Sequence, residues 1–372
     1  MQMTASETSS RQKLKLNLST SDDDARPVFV TGNFNNWSAG NPQYQMTRIG
    51  QGKYEYHFPE NIPLPTPLEY KYMKGSWDDA ELDEYGNAAE NRVRLRTAGS
   101  GRDQVSRWKK AGKSYEASFL PIIEVVSEQF EMPQLGKRRR VGVLLPFDYY
   151  QNPKKTYPVL YLHDGQNLFE DDAPYGTWGL DKRLSVMSEK GVGDLIVVAI
   201  DHGGAERIKE FSPPTVTRTK FGESEGMQYV RFMTDTLKPY IDKNYRSKSE
   251  RNFTGIGGSS MGGLISIYAG LMRPDVYGKL MVFSPSLWLS PKIYFESIKF
   301  ASPFDLKIYL YAGGKESENM VPSAKRLKGI LERQGINGST VQFKLSIDPR
   351  GRHNEQRWGV EFPKATKWLF FE

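Results

Sequence analysis

The chain has 372 residues, 38% of them hydrophobic and 12% aromatic, and a formal net charge of +7. That length suits two domains of ordinary size, each able to bury a core. No run of about 18 apolar residues occurs, which excludes a membrane-spanning helix, and the lack of cysteine excludes disulfides, thiolate metal sites and a cysteine nucleophile. Residues 1–12 are polar and are expected to form a frayed end. They carry no signal-peptide pattern, so the compartment stays open, with a soluble periplasmic or secreted form whose leader has been removed as one expectation.

From Lys13 to Ser19 apolar and polar residues alternate, the period of a half-buried strand. Further strands are expected at Pro27–Gly32, Lys53–Phe58, Leu68–Met73 and Asn91–Leu95, the last closing the set. Short strands with regular turn signals and no helical pattern predict a small β-sandwich over residues 1–97. The Gly/Ser-bearing stretch that follows reads as a flexible linker over residues 98–113, with Trp108 unusual in such a position.

The segments Val28–Trp37, Glu69–Tyr72, Gly75–Trp77 and Glu90–Arg92 resemble the glycogen- and starch-binding modules of the immunoglobulin-like early-set type. The resemblance implies that Trp37 and Trp77 stack on glucose rings, while Lys71 and Asn91 hydrogen-bond sugar hydroxyls, making a glucan a candidate ligand. A flat indole suits the apolar face of a sugar, and nearby polar groups fix its orientation. The acidic run Asp78–Glu84 departs from the pattern.

Beyond residue 113 strands alternate with helices, as in a mostly parallel, doubly wound sheet. Phe119–Val126 and Val141–Leu145 are expected to pair at one edge. Lys137-Arg138-Arg139-Arg140, the only sharp basic cluster, reads as an exposed turn into the second of these rather than as a nucleic-acid patch. Pro158–Leu162 and Leu195–Ile200 are continuous apolar runs, as for strands buried on both faces. Helices are expected at Leu180–Lys190, Tyr229–Ile241, Lys325–Gln334 and Phe362–Phe370, and strands at Lys279–Phe283, Lys307–Ala312 and Val341–Ser346.

Gly258-Ser259-Ser260-Met261-Gly262 lies between a strand (Asn252–Ile256) and a helix (Leu264–Met272). That context marks a nucleophile elbow and makes Ser260 the candidate nucleophile. The helix start beneath it directs backbone N–H groups at an oxyanion. Chain order in this fold is serine, acid, histidine, and only His353 of the four histidines follows Ser260. The acid should follow the penultimate strand, where Glu316 is preferred to Glu318. The oxyanion donors would be the N–H of Met261 and a second group after Leu162, assigned to Gln166. Tyr175, Trp178, Trp288 and Trp358 fall in stretches expected to be loops that could rim a pocket.

Residues 118–372 resemble the esterase branch of the α/β-hydrolases that includes enterochelin-type siderophore esterases, esterase D, and feruloyl and acetylxylan esterases. The resemblance rests on Tyr161–Asn167, Gly257–Gly263, Phe283–Ser286, Gly314–Glu316 and Gly351–Glu355. It implies an acyl-enzyme mechanism through Ser260 and His353. The expectation is therefore an α/β-hydrolase domain over 114–372 behind an immunoglobulin-like sandwich, with no metal or organic cofactor, acting on a small-molecule or saccharide ester of feruloyl or acetyl type. Alternatives are a siderophore esterase and, from another class, a glucan-binding protein with an inactive hydrolase domain.

Overall fold

The computed structural model describes residues 14–24, 26–95, 99–173, 175–214, 223–336 and 338–372; the polar end at residues 1–12 lies outside them. The chain divides into two compact units, Met1–Tyr115 and Glu116–Glu372.

In the first unit, β1 (Leu14–Thr20) buries Leu14, Leu16 and Leu18 on one face, as its alternation requires. The strands β2 (Phe29–Gly32), β3 (Thr47–Gly50), β4 (Lys53–His57), β5 (Leu68–Met73), β6 (Glu81–Leu82) and β7 (Arg92–Arg94) follow. β7 does not close the set, and of the linker expected over residues 98–113 the described part, 99–113, is structured. β8 (Gly99–Val105) pairs in parallel with β1 along its whole length, and β9 (Arg107–Trp108) pairs with β6. The sheets are ordered β3-β4-β1-β8, β2-β5-β7 and β6-β9. Leu16, Val30, Tyr54, Tyr72 and Trp108 share one apolar core. Trp108 is fully buried and donates its indole N–H to Thr20 Oγ1 at 3.3 Å.

The second unit holds an eight-stranded sheet in the order β10-β11-β13-β12-β14-β15-β16-β17. The edge strands β10 (Ile122–Met132) and β11 (Lys137–Leu145) are antiparallel. The basic cluster therefore lies within β11, after a turn at residues 133–136. Lys137 reaches Glu225 at 2.5 Å and Arg139 reaches Glu210 at 2.6 Å, so glutamates neutralise it. The other six strands, β12 (Val159–His163), β13 (Ile196–Ile200), β14 (Thr254–Ser259), β15 (Lys279–Phe283), β16 (Leu306–Gly313) and β17 (Val341–Asp348), run parallel.

These strands alternate between two cores, which is why the central ones read as unbroken apolar runs. On β12, Val159 and Tyr161 face one cluster while Leu160 and Leu162 face the other. The second cluster is covered by α1 (Leu180–Glu189) and α8 (Glu355–Phe370). The first is covered mainly by α3 (Gly226–Phe232), α4 (Lys238–Asn244), α5 (Met261–Met272), α6 (Ile293–Lys299) and α7 (Met320–Leu331), with the short α2 (Arg207–Glu210) beside α3. The helix expected over Tyr229–Ile241 is interrupted by a π-helical stretch, Met233–Leu237. Pro239 has no N–H for the Asp235 carbonyl, so the regular i to i−4 ladder cannot run through. Among the described residues no helix is long and apolar enough to cross a membrane.

Candidate active site

Adjacent parallel strands deliver the chemistry-bearing residues at one edge of the sheet, beyond their carboxyl ends. β12 leads into the turn Gly165–Asn167, β14 into Ser260, β15 into Ser284 and Ser286, β16 into Glu316, and β17 into the loop of His353. Three non-glycine residues here have positive φ: Asp164 (61°), Ser260 (55°) and Ser284 (45°). Such angles are costly and mark functional turns. Ser260 lies between β14 and α5 at φ 55° and ψ −118°, its N–H donating to Phe283 O at 2.9 Å. The elbow needs glycines because its neighbours crowd it. A Cβ on Gly258 would lie 3.1 Å from Gly262 Cα, and one on Gly262 would lie 3.2 Å from His163 Cβ.

Glu316 and His353 are brought together: Nδ1 of the imidazole lies 2.8 Å from Glu316 Oε2. The other carboxylate oxygen, Oε1, accepts from Ser284 Oγ at 2.6 Å and from the Gly313 N–H at 2.8 Å. The Glu316 side chain is 1% exposed and that of His353 42% exposed, so a shielded carboxylate backs an imidazole open to solvent. Ser260 and His353, expected to act together, do not hydrogen-bond each other among the described residues. The Ser260 hydroxyl instead meets Ser286 Oγ at 3.1 Å, and Ser286 N–H donates to Ser260 O at 3.0 Å. Ser286 thus competes for the same hydroxyl.

Met261 is the first residue of α5 and Gln166 lies in the first turn of a 3-10 helix, positions whose N–H groups lack intrahelical acceptors. The Gln166 side chain is clamped to the His202 backbone by two 3.0 Å hydrogen bonds, so the backbone N–H is the group of Gln166 suited to an oxyanion. Asp164, beside it, is held bidentately by Arg207 at 2.6 and 2.8 Å. His163 is buried against Tyr229 OH at 3.0 Å, and burial holds its imidazole down to about 4. Burial also pulls His202 below the ordinary histidine range and pushes Glu355, which meets Asn167 Nδ2 at 3.4 Å, above that of a carboxylate.

Two of the four expected rim aromatics are core residues: Trp178 and Trp358 are each 3% exposed, and Trp358 belongs to α8 rather than to a loop. Tyr175 and Trp288 are 72% and 76% exposed. The motif Phe283–Ser286 carries two serines whose roles were not evident from the sequence. Their position after the strand beside the elbow was the available signal. Among the described residues no group of three or more His, Asp or Glu side chains stands ready for a metal ion.

In the first unit, Trp37 and Trp77 lie with ring centroids 6.4 Å apart at 38°, Trp77 being 44% exposed. Lys71 is half-buried on β5, and burial lowers its pKa. Asn91 is exposed and donates to Glu69 Oε2 at 3.1 Å.

The esterase family model, described as "Putative esterase", matches residues 132–369. The chain belongs to this esterase family. It is a carboxylic ester hydrolase. Among curated relatives of this esterase, the ferri-bacillibactin esterase BesA of Bacillus subtilis is 28% identical over 221 residues, covering 51% of this chain and 73% of BesA. An alpha-amylase of Niallia circulans is 37% identical over 86 residues, 22% of this chain and 6% of the amylase. A solved enterobactin esterase, FES from Shigella flexneri, superposes with a TM-score of 0.52 at 16% identity, covering 92% of this chain and 88% of that one.

Proposed function

We propose that Ser260, His353 and Glu316 act as a catalytic triad that hydrolyses an ester carried by a saccharide, of feruloyl or acetyl type. Ser260 Oγ attacks the carbonyl while His353 takes its proton at Nε2, the nitrogen left free once Nδ1–H is engaged by Glu316. The N–H groups of Met261 and Gln166 hold the oxyanion. His353 then protonates the departing alcohol, and water activated by the same imidazole releases the acid and restores Ser260. In this reading the Ser260–Ser286 contact is a resting arrangement, and the bond to His353 forms when substrate displaces it.

The observation that carries the reading is the 2.8 Å contact of His353 Nδ1 with a buried Glu316 carboxylate, at the strand ends beside a serine with φ 55°. The test is hydrolysis of p-nitrophenyl acetate. Ser260→Ala should lose at least about a thousandfold in kcat while keeping its fold. Wild-type turnover in that variant would remove Ser260 from the mechanism.

For the first unit we propose an immunoglobulin-like, early-set carbohydrate-binding module in which Trp37, Trp77, Lys71 and Asn91 receive a glucan. The neighbouring rings of the half-buried Trp37 and the exposed Trp77, with the short, 37% identical match to an alpha-amylase, support it. A second reading, a siderophore esterase, is favoured by the match to BesA and by the coverage of the enterobactin esterase. Product release from acetyl-xylan, feruloyl-arabinose and a catecholate trilactone separates the two readings.

A further inference from the structure

Glu316 does not hold its orientation alone. Ser284 is fully buried at φ 45°, pinned by its own N–H to Tyr311 O at 2.8 Å. Its hydroxyl has two partners: the indole N–H of Trp358, which donates to Ser284 Oγ at 2.9 Å, and Glu316 Oε1 at 2.6 Å. An indole nitrogen can only donate and an ionised carboxylate can only accept. The single hydroxyl proton of Ser284 is therefore committed to Glu316. With the Gly313 N–H also on Oε1, that oxygen is saturated, and Oε2 is left to face His353 Nδ1. Trp358 also sets its ring edge-on against the His353 imidazole, with centroids 4.8 Å apart at 86°.

We propose that Ser284 and Trp358 are positioning residues for the catalytic pair. The indole N–H sets the direction of the Ser284 hydroxyl, the hydroxyl fixes the rotation of the Glu316 carboxylate, and the carboxylate fixes the tautomer and plane of His353. The inference rests on the triad reading above and adds a requirement to it: the acid works only while its far oxygen is occupied. It also accounts for a strained, buried serine just after β15 that takes no direct part in bond making. Misplacing a catalytic group by a fraction of an ångström is costly to the chemical step and nearly neutral for substrate binding.

The test compares steady-state kinetics on p-nitrophenyl acetate for Ser284→Gly, Trp358→Phe, the double variant and Glu316→Gln, with thermal melts of each. Glycine accepts φ 45° while removing the hydroxyl, and phenylalanine keeps a ring in the core while removing the N–H. Each single variant should lose about ten- to a hundredfold in kcat with KM within about twofold. The double variant should be no slower than Ser284→Gly, because the indole N–H acts only through that hydroxyl. Wild-type kcat in both single variants beside an impaired Glu316→Gln would overturn the proposal, as would losses that multiply in the double variant. Full activity in Glu316→Gln would instead overturn the triad reading. Should Trp358→Phe fail to fold, the split between kcat and KM in Ser284→Gly decides, with an unchanged kcat counting against the proposal.

Discussion

At φ 55° and ψ −118°, Ser260 occupies a backbone region that only glycine visits without cost. In the proposed triad that position needs the serine hydroxyl, so the elbow would hold strain as a condition of function. Ser260→Gly should therefore raise stability by about 1 kcal/mol, or about 2–4 °C in Tm, while abolishing ester hydrolysis. A melting scan beside the p-nitrophenyl acetate assay checks this, and a lowered Tm would contradict it. At this scale the sequence was informative about the proposed nucleophile because glycine spacing is read directly from it. The glycines at 258 and 262 answer to close approach, of each other and of His163. It was silent about which hydroxyl Ser260 meets at rest, since the rotamer depends on Ser286, 26 positions away.

The central strands β12 and β13 of the second unit were legible because both faces of each are buried, which leaves a plain apolar signature. β8 was not legible. Its burial is confined to Gly101 and Val105, and its Gly/Ser content imitates a linker. Glycine at 101 is a packing demand, since a Cβ would lie 3.0 Å from Leu16 Cδ2 and run into Arg94. Trp358 was misplaced because α8 begins at Glu355, directly after the loop of His353, capped by the Asn354 side chain accepting from Arg357 N–H at 2.9 Å. The end of β12 carries a pH consequence. Burial holds His163 down to about 4 against an ordinary 6.5, so between those values the unfolded chain binds a proton that the native chain does not. Stability from this group is unaffected above about pH 6.5 and falls as pH drops below it. Asp201, pushed up to about 6 by burial, acts in the opposite sense, its contribution being lost as pH rises through that value. Replacing His163 by Gln removes only the first effect. The stability deficit of that variant, measured by urea unfolding, should shrink by about 2 kcal/mol from pH 7.5 to pH 5. A deficit independent of pH would contradict a neutral, buried His163.

Taken whole, the chain is two units, each with its own apolar cores, which is why two separate patterns could be read from one sequence. The proposed tasks are correspondingly separable. Trp37→Ala with Trp77→Ala should abolish retardation on a glycogen-containing gel and leave kcat/KM for p-nitrophenyl acetate within about twofold of wild type, because a short soluble ester needs no second anchoring site. Unchanged retardation in the double variant, or none in the wild type, would remove the glucan from the account. Ester hydrolysis by the proposed triad requires Ser260 to form a covalent bond. Its most direct measurement is the intact mass of the protein after incubation with a fluorophosphonate, followed by peptide mapping. The account predicts one phosphonyl adduct per chain, located on Ser260 and absent from Ser260→Ala. An unmodified wild-type chain, or an adduct mapped to any other residue, would contradict it.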